Sequence, residues 1–167
     1  MTEVHAAIDI VAVDFLNPRH AADLVALLNA YATDPMGGGE PLPLACRASL
    51  VARLATLPYA HSWIAYVNDQ PAGLLNAFEG FSTFKAQPLL NIHDLAVNAD
   101  FRGLGLSQQL LAAAEHKARL LGCCKVTLEV LSNNHVAQQA YLKYGFAGYE
   151  LDPEAGHALF WQKMLDN

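Results

Sequence analysis

Charged residues are scarce in this sequence: Asp, Glu, Lys and Arg make up 16% of its 167 residues, while 53% are hydrophobic. A chain so poor in charge and so rich in apolar side chains can bury a core, which excludes a disordered or fibrous protein. Positive charge is scarcer still. Ten Lys plus Arg stand against sixteen Asp plus Glu, a net charge of −6, which argues against nucleic acid held by bulk electrostatics. Cysteine is limited to Cys46, Cys123 and Cys124, an odd number without the C-x-x-C spacing of zinc or redox sites. Buried free thiols in a reducing compartment fit them. No stretch reaches the roughly 18 uninterrupted apolar residues of a membrane span, and Met1-Thr-Glu-Val-His5 lacks the basic start and apolar run of a signal peptide. The expectation is a soluble cytoplasmic protein of one domain, residues 1–167, with no membrane partner.

The little positive charge there is has a place. From Phe101 to Lys143 five bases (Arg102, Lys117, Arg119, Lys125, Lys143) face two acids (Glu115, Glu129), net +3, and the remainder of the chain is net −9. A basic segment in an acidic protein points to one discrete anionic ligand.

Hydrophobic periodicity gives the elements. Ile8–Val13 alternates as a strand, and Leu24, Leu27, Leu28 and Tyr31 follow at helical steps until Asp34-Pro35. Met36-Gly-Gly-Gly-Glu-Pro-Leu-Pro43 is a loop, and a second helix runs from Leu44 to Leu57. Ser62–Val67 and Ala72–Phe78 flank Asn68-Asp69-Gln70-Pro71 as a hairpin, with Phe81–Phe84 in the connection to a strand over Leu89–Val97. A helix from Leu106 to Leu121 buries Leu110, Leu111, Ala114 and Ala118. Val126, Leu128 and Val130 alternate, Asn133 or Asn134 caps a helix to Tyr144, and Tyr149–Leu151 with Ala158–Met164 can close the sheet as an antiparallel pair. The order is β-α-α-β-β-β-α-β-α-β-β, a mixed α/β domain.

One strand carries an irregularity. Leu90 and Ile92 fall on one face, but Leu95 and Val97 fall on the other. One extra residue near His93-Asp94, a β-bulge, reconciles them; a strand buried on both faces explains the pattern equally well.

Chemistry concentrates just beyond. Asp94-Leu-Ala-Val-Asn-Ala-Asp-Phe-Arg-Gly-Leu-Gly-Leu-Ser107 passes from strand through a tight turn into a helix. Gly103 and Gly105 allow close backbone approach, free amides at the helix start point toward an anion, and Arg102 adds charge. It has neither the G-K-[ST] of a nucleotide P-loop nor the third glycine of a dinucleotide fingerprint. The next helix reads Asn134-His-Val-Ala137-Gln-Gln-Ala-Tyr141-Leu-Lys-Tyr-Gly145-Phe146.

Together these two stretches resemble the GNAT superfamily of N-acetyltransferases, whose coenzyme motif is Arg/Gln-x-x-Gly-x-Gly/Ala after a strand, followed by an N-x-x-A-x-x-x-Y-x-x-x-G-F helix. Arg102, Gly105 and Ser107 occupy the first pattern, with Ser in place of the final Gly or Ala; Asn134, Ala137, Tyr141, Gly145 and Phe146 fill the second. Phe81-Ser-Thr-Phe84 and Ile92–Val97 are also similar to the diamine and polyamine acetyltransferase branch, although that branch usually has an acidic residue where this chain has His93. The resemblance implies a mostly antiparallel central sheet of six to seven strands with about four helices, acetyl-CoA as co-substrate, and a homodimer. It implies direct attack by a primary amine of a small acceptor in a ternary complex, and the net −9 of the remaining chain favours a cationic one. Backbone amides of Leu95, Ala96 and Val97 would hold the pantetheine and polarise the acetyl carbonyl. Arg102, Gly103, Leu104, Gly105, Leu106, Ser107 and Gln108 would take the pyrophosphate, with Asn134, Ala137 and Tyr141 completing the coenzyme site. A tyrosine hydroxyl, with an ordinary pKa near ~10, stays protonated at neutral pH, so Tyr141 can protonate the leaving thiolate.

Several assignments stay open. His93 is either the base that accepts the ammonium proton or a structural strand residue. Asp94 is either an acceptor-binding carboxylate or a structural one, and Glu79 is either a second acceptor-binding acid or a solvated hairpin residue. Tyr144 reads as packing. Met36–Pro43 is expected to wall the acceptor pocket. No His pair has metal spacing, so no metal is expected. A CoA-binding module without catalysis is the alternative to an enzyme.

Overall fold

The computed structural model describes residues 6–149 and 152–165. Among them five strands form one sheet in the order β1 (Ile8–Ala12), β2 (Ala60–Val67), β3 (Gln70–Ser82), β4 (Gln87–Val97), β5 (Val126–Leu128). The first four are antiparallel, and β5 joins β4 in parallel. Helices α1 (Pro18–Thr33) and α2 (Leu44–Leu54) cover one face; α3 (Leu106–Leu120) covers the other, with α4 (His135–Tyr144) packed beside it.

Local chemistry sets these boundaries. Asn17 caps α1, its side chain accepting from the Arg19 and His20 amides, and Pro18 opens the helix. Asn68 and Asp69, at φ 47° and 66°, turn the β2–β3 hairpin in the left-handed conformation that a tight two-residue loop demands. Leu74 and Leu75 are both fully buried on opposite faces of β3. Burial on both sides is why this central strand reads as a continuous apolar run. No helix among the described residues is long and apolar enough to cross a membrane.

Four expectations are corrected. The sheet has five strands among the described residues, not six to seven. Ala158–Met164 forms no strand there: Leu159, Phe160, Trp161 and Met164 are all exposed. A run of apolar residues tells that a segment can be buried but not whether a ladder partner exists, and a strand needs both. Tyr149 lies outside any element, and the other residues of that expected strand, 150 and 151, fall outside the described residues. Phe81 and Ser82 belong to β3 and not to a connection, and the cysteines are half-buried free thiols.

Candidate active site

The irregular strand does contain a bulge. Asn76 pairs with Asp94 and Ala77 with Ile92, so His93 has no partner on β3. With that extra residue, Leu90, Ile92, Leu95 and Val97 all face the α3 side, while Asp94 and Ala96 turn toward α1 and α2. The bulge also redirects the backbone. The Asn98 amide donates to the Ala72 carbonyl at 2.8 Å. Since amide directions alternate along a strand, Ala96 addresses β3 as well, and the Leu95 and Val97 amides point away from it. On that outer edge β5 ends at Leu128, opposite Ile92, whereas β4 continues to Val97. The two outward amides therefore lie beyond the last β4–β5 pair, and Ala96 does not share their direction.

The turn after β4 leads straight to the start of α3. Gly103 and Gly105 have φ of 83° and 73°, and a side chain at either would meet nothing within 4 Å on the outer side. Gly105 stands at the cap position without a side-chain acceptor, and the first helical bond runs from Gln109 back to Gly105. The amides of Leu106, Ser107 and Gln108 are therefore the free donors of the helix start. Leu106 buries its side chain beneath them, the exposed Leu104 and Arg102 flank them, and Arg102 reaches to 3.9 Å from Asp34. Gln108 turns its side chain elsewhere: its amide donates to the Ala140 carbonyl at 2.9 Å and ties α3 to α4.

That tie helps to place Tyr141. Asn134 caps α4 by accepting from the Ala137 amide at 3.1 Å, which occupies its side-chain oxygen locally. The Tyr141 ring meets Phe146 edge-on at 6.0 Å. Burial, with Tyr31 nearby, pushes its hydroxyl up to about 12. Tyr144, three residues on, donates instead to Glu115 at 2.6 Å and anchors α4 against α3.

Across the bulge, a cavity of about 360 Å³ opens between α1, α2 and the β3–β4 pair. Tyr31, Asn76, His93 and Asp94 supply its polar groups, and Leu28, Leu42, Leu50, Leu54 and Phe78 its apolar wall. His93 packs edge-on against Phe78. Burial first, then the charges of Asp94 and Asp34, raise the Tyr31 hydroxyl above its ordinary value. The wall at Leu42 is pinned to α1: its amide donates to Asn29 at 2.9 Å, and Gly37 passes so close to Tyr31 that a Cβ would stand 1.9 Å from the Tyr31 carbonyl.

Glu79 is not brought to this cavity. It lies on the other sheet face, 2.7 Å from His61. A second hollow of about 350 Å³, lined by Cys123, Cys124, Tyr144 and Phe146 among others, contains none of the turn amides or bulge residues. Sequence reasoning passed over Tyr31, Ser62 and Asn76. The available signal for Asn76 was one amide inside the apolar run Leu74-Leu-Asn-Ala-Phe78, which a buried strand tolerates only with partners.

The family model described as "Acetyltransferase (GNAT) family" matches residues 24–146. Among curated proteins, the chain is 28% identical over 102 residues to the uncharacterized N-acetyltransferase YycN of Bacillus subtilis (strain 168), covering 58% of this chain and 62% of that one. It is 31% identical over 81 residues to the thialysine N-epsilon-acetyltransferase of Caenorhabditis elegans, covering 48% of this chain and 50% of that protein. The matches thus span less than two thirds of either relative. In fold it is similar to the aminoglycoside N-acetyltransferase AAC(6')-Iy solved with CoA, at a TM-score of 0.77 and 18% identity over 98% of this chain and 99% of the other.

Proposed function

The chain belongs to the Acetyltransferase (GNAT) family, and on that premise we propose that it moves an acetyl group from acetyl-CoA to a primary amine of a small acceptor within a ternary complex. The observation that carries this reading is the bulge at His93, which puts two outward amides on one side and an acceptor-sized cavity with one carboxylate on the other. The α3 turn suits a pyrophosphate: uncapped helix amides, two glycines with open space above them, and an exposed arginine.

Acetyl-CoA would supply the acyl group on a thioester whose sulfur leaves as a thiolate. The chain's own groups do the rest. Leu95 and Val97 amides polarise the carbonyl oxygen as it gains negative charge, and the α3 start fixes the coenzyme's phosphates. Asp94 holds the acceptor's ammonium, and His93, on the same cavity wall, takes its proton so that the neutral nitrogen can attack. A carbon–nitrogen bond forms, the carbon–sulfur bond breaks, Tyr141 gives its hydroxyl proton to the sulfur, and the proton that the nitrogen sheds on becoming an amide returns Tyr141 to its neutral form by way of solvent. A hydroxyl that titrates near 12 keeps that proton at neutral pH.

Release of free thiol from acetyl-CoA across a panel of amines tests this. Amine-dependent release that collapses in Tyr141→Phe supports the transferase. Tight CoA binding without release on any amine supports a binding module instead.

A further inference from the structure

The cavity beside the bulge says more about the acceptor than that it is an amine, and this step rests on the transferase reading above. Three titratable side chains line it: Tyr31, His93 and Asp94. Tyr31 is held neutral, because burial and two nearby carboxylates raise its hydroxyl, and His93 carries no negative charge in either of its forms. Asp94 is therefore the one anion in the lining. Even it is half committed, since the Asn76 amide donates to its Oδ2 at 3.0 Å and no hydrogen bond reaches its Oδ1 among the described residues. One oxygen is left to meet one ammonium.

Asp34 and Glu79 are engaged elsewhere. Asp34 accepts from the Met36 amide and faces Arg102, and Glu79 is on the opposite sheet face beside His61. The far wall, Leu42, Leu50, Leu54 and Phe78, offers hydrocarbon only. A second ammonium in the acceptor would face apolar carbon, an arrangement that costs far more than a methyl group in the same place.

We infer that the acceptor is a monoamine with a compact apolar body: its single ammonium sits on Asp94 and its hydrocarbon lies against the Leu42–Leu50–Leu54–Phe78 wall. A volume of about 360 Å³ is at the small end of ligand pockets and suits a short alkyl or aryl chain. Diamines, polyamines and aminoglycosides carry the charge this wall rejects.

The test compares n-hexylamine with 1,6-diaminohexane, which differ at one end by a methyl against an ammonium, with phenethylamine, spermidine and an aminoglycoside beside them. The expected kcat/KM for hexylamine and phenethylamine is at least about tenfold above that of the diamine. Leu42→Asp, on a loop and not in an element, places a second carboxylate on the apolar wall and should move the hexylamine-to-diamine ratio by about fivefold or more toward the diamine. Equal or better turnover of the diamine, spermidine or the aminoglycoside by the unaltered protein overturns the inference, as does an unchanged ratio in Leu42→Asp. Calorimetric titration of the same amines into the CoA-saturated protein separates the two readings. Selective monoamine binding without thiol release would support the pocket and overturn the transferase; thiol release with a diamine preference would do the reverse.

Discussion

The Asn76 side-chain amide donates to Asp94 Oδ2 at 3.0 Å, and its own carbonyl oxygen accepts from the Ser62 hydroxyl at 2.6 Å. The chain crosses three strands, and Ser62 and Asn76 are almost wholly buried. Its polarity is fixed. If the amide turned over, its carbonyl would face a carboxylate, so the Ser62 donor keeps the NH₂ group aimed at Asp94. On the proposed mechanism Asn76 is thus a positioning residue that acts through Asp94. Asn76→Leu should lower kcat/KM for the amine about tenfold while leaving the KM for acetyl-CoA unchanged, and Ser62→Ala should have the same sense with a smaller size. In an Asp94→Asn background, Asn76→Leu should add little, because the group it positions is gone. Independent, additive losses, or a matching rise in the acetyl-CoA KM, would show a general structural role.

The two tyrosines of α4 separate chemistry from packing. Tyr141→Phe removes the proposed acid and should lower kcat by about 10²–10⁴ with little change in stability. Tyr144→Phe removes the bond to Glu115 and should cost about 1 kcal/mol in denaturant unfolding, with kcat unaltered. The pH dependence has a definite sign. Burial raises the Tyr141 hydroxyl to about 12, so the acid form persists and kcat should show no alkaline fall from this group below about pH 10. A fall near pH 8 that vanishes in Tyr141→Phe would contradict that assignment.

Much of this was legible before the fold. The parity switch between Leu90, Ile92 and Leu95, Val97 pointed to either a bulge or a strand buried on both faces, and the β3–β4 register decides for the bulge, which leaves all four on one face. The Gly103–Gly105 turn was legible because its backbone conformation favours glycine. Asp94 and Glu79 were both candidate acceptor-binding acids in sequence, yet an odd–even difference on neighbouring strands puts them on opposite faces. Tyr31 entered through packing of α1 over the sheet, a long-range contact that helical periodicity does not encode. Ala158–Met164 is rich in apolar residues and its large hydrophobic side chains are nonetheless exposed, since pairing depends on an available edge.

The α3 turn makes its own prediction. Asp tolerates a left-handed backbone better than most residues, so Gly105→Asp should remain folded while placing a carboxylate where phosphate is expected. CoA affinity should fall by about tenfold or more, with the thermal midpoint within a few degrees of the unaltered protein. Unchanged CoA affinity would remove this turn from the coenzyme site.

Gly37 tests the acceptor wall. A Cβ there would collide with the Tyr31 carbonyl, so Gly37→Ala must lift the 36–43 segment from α1. The amine KM should rise about tenfold while the acetyl-CoA KM holds, the size expected for modest overpacking. A change confined to the acetyl-CoA KM would place the acceptor elsewhere.

The most direct measurement follows both products at once: free CoA thiol and N-acetylated amine, by mass spectrometry, with n-hexylamine and acetyl-CoA. The account gives equal amounts of the two from the unaltered protein and neither at a comparable rate from Tyr141→Phe. Thiol without acetylated amine, or bound CoA with no amine-dependent product at all, would contradict it.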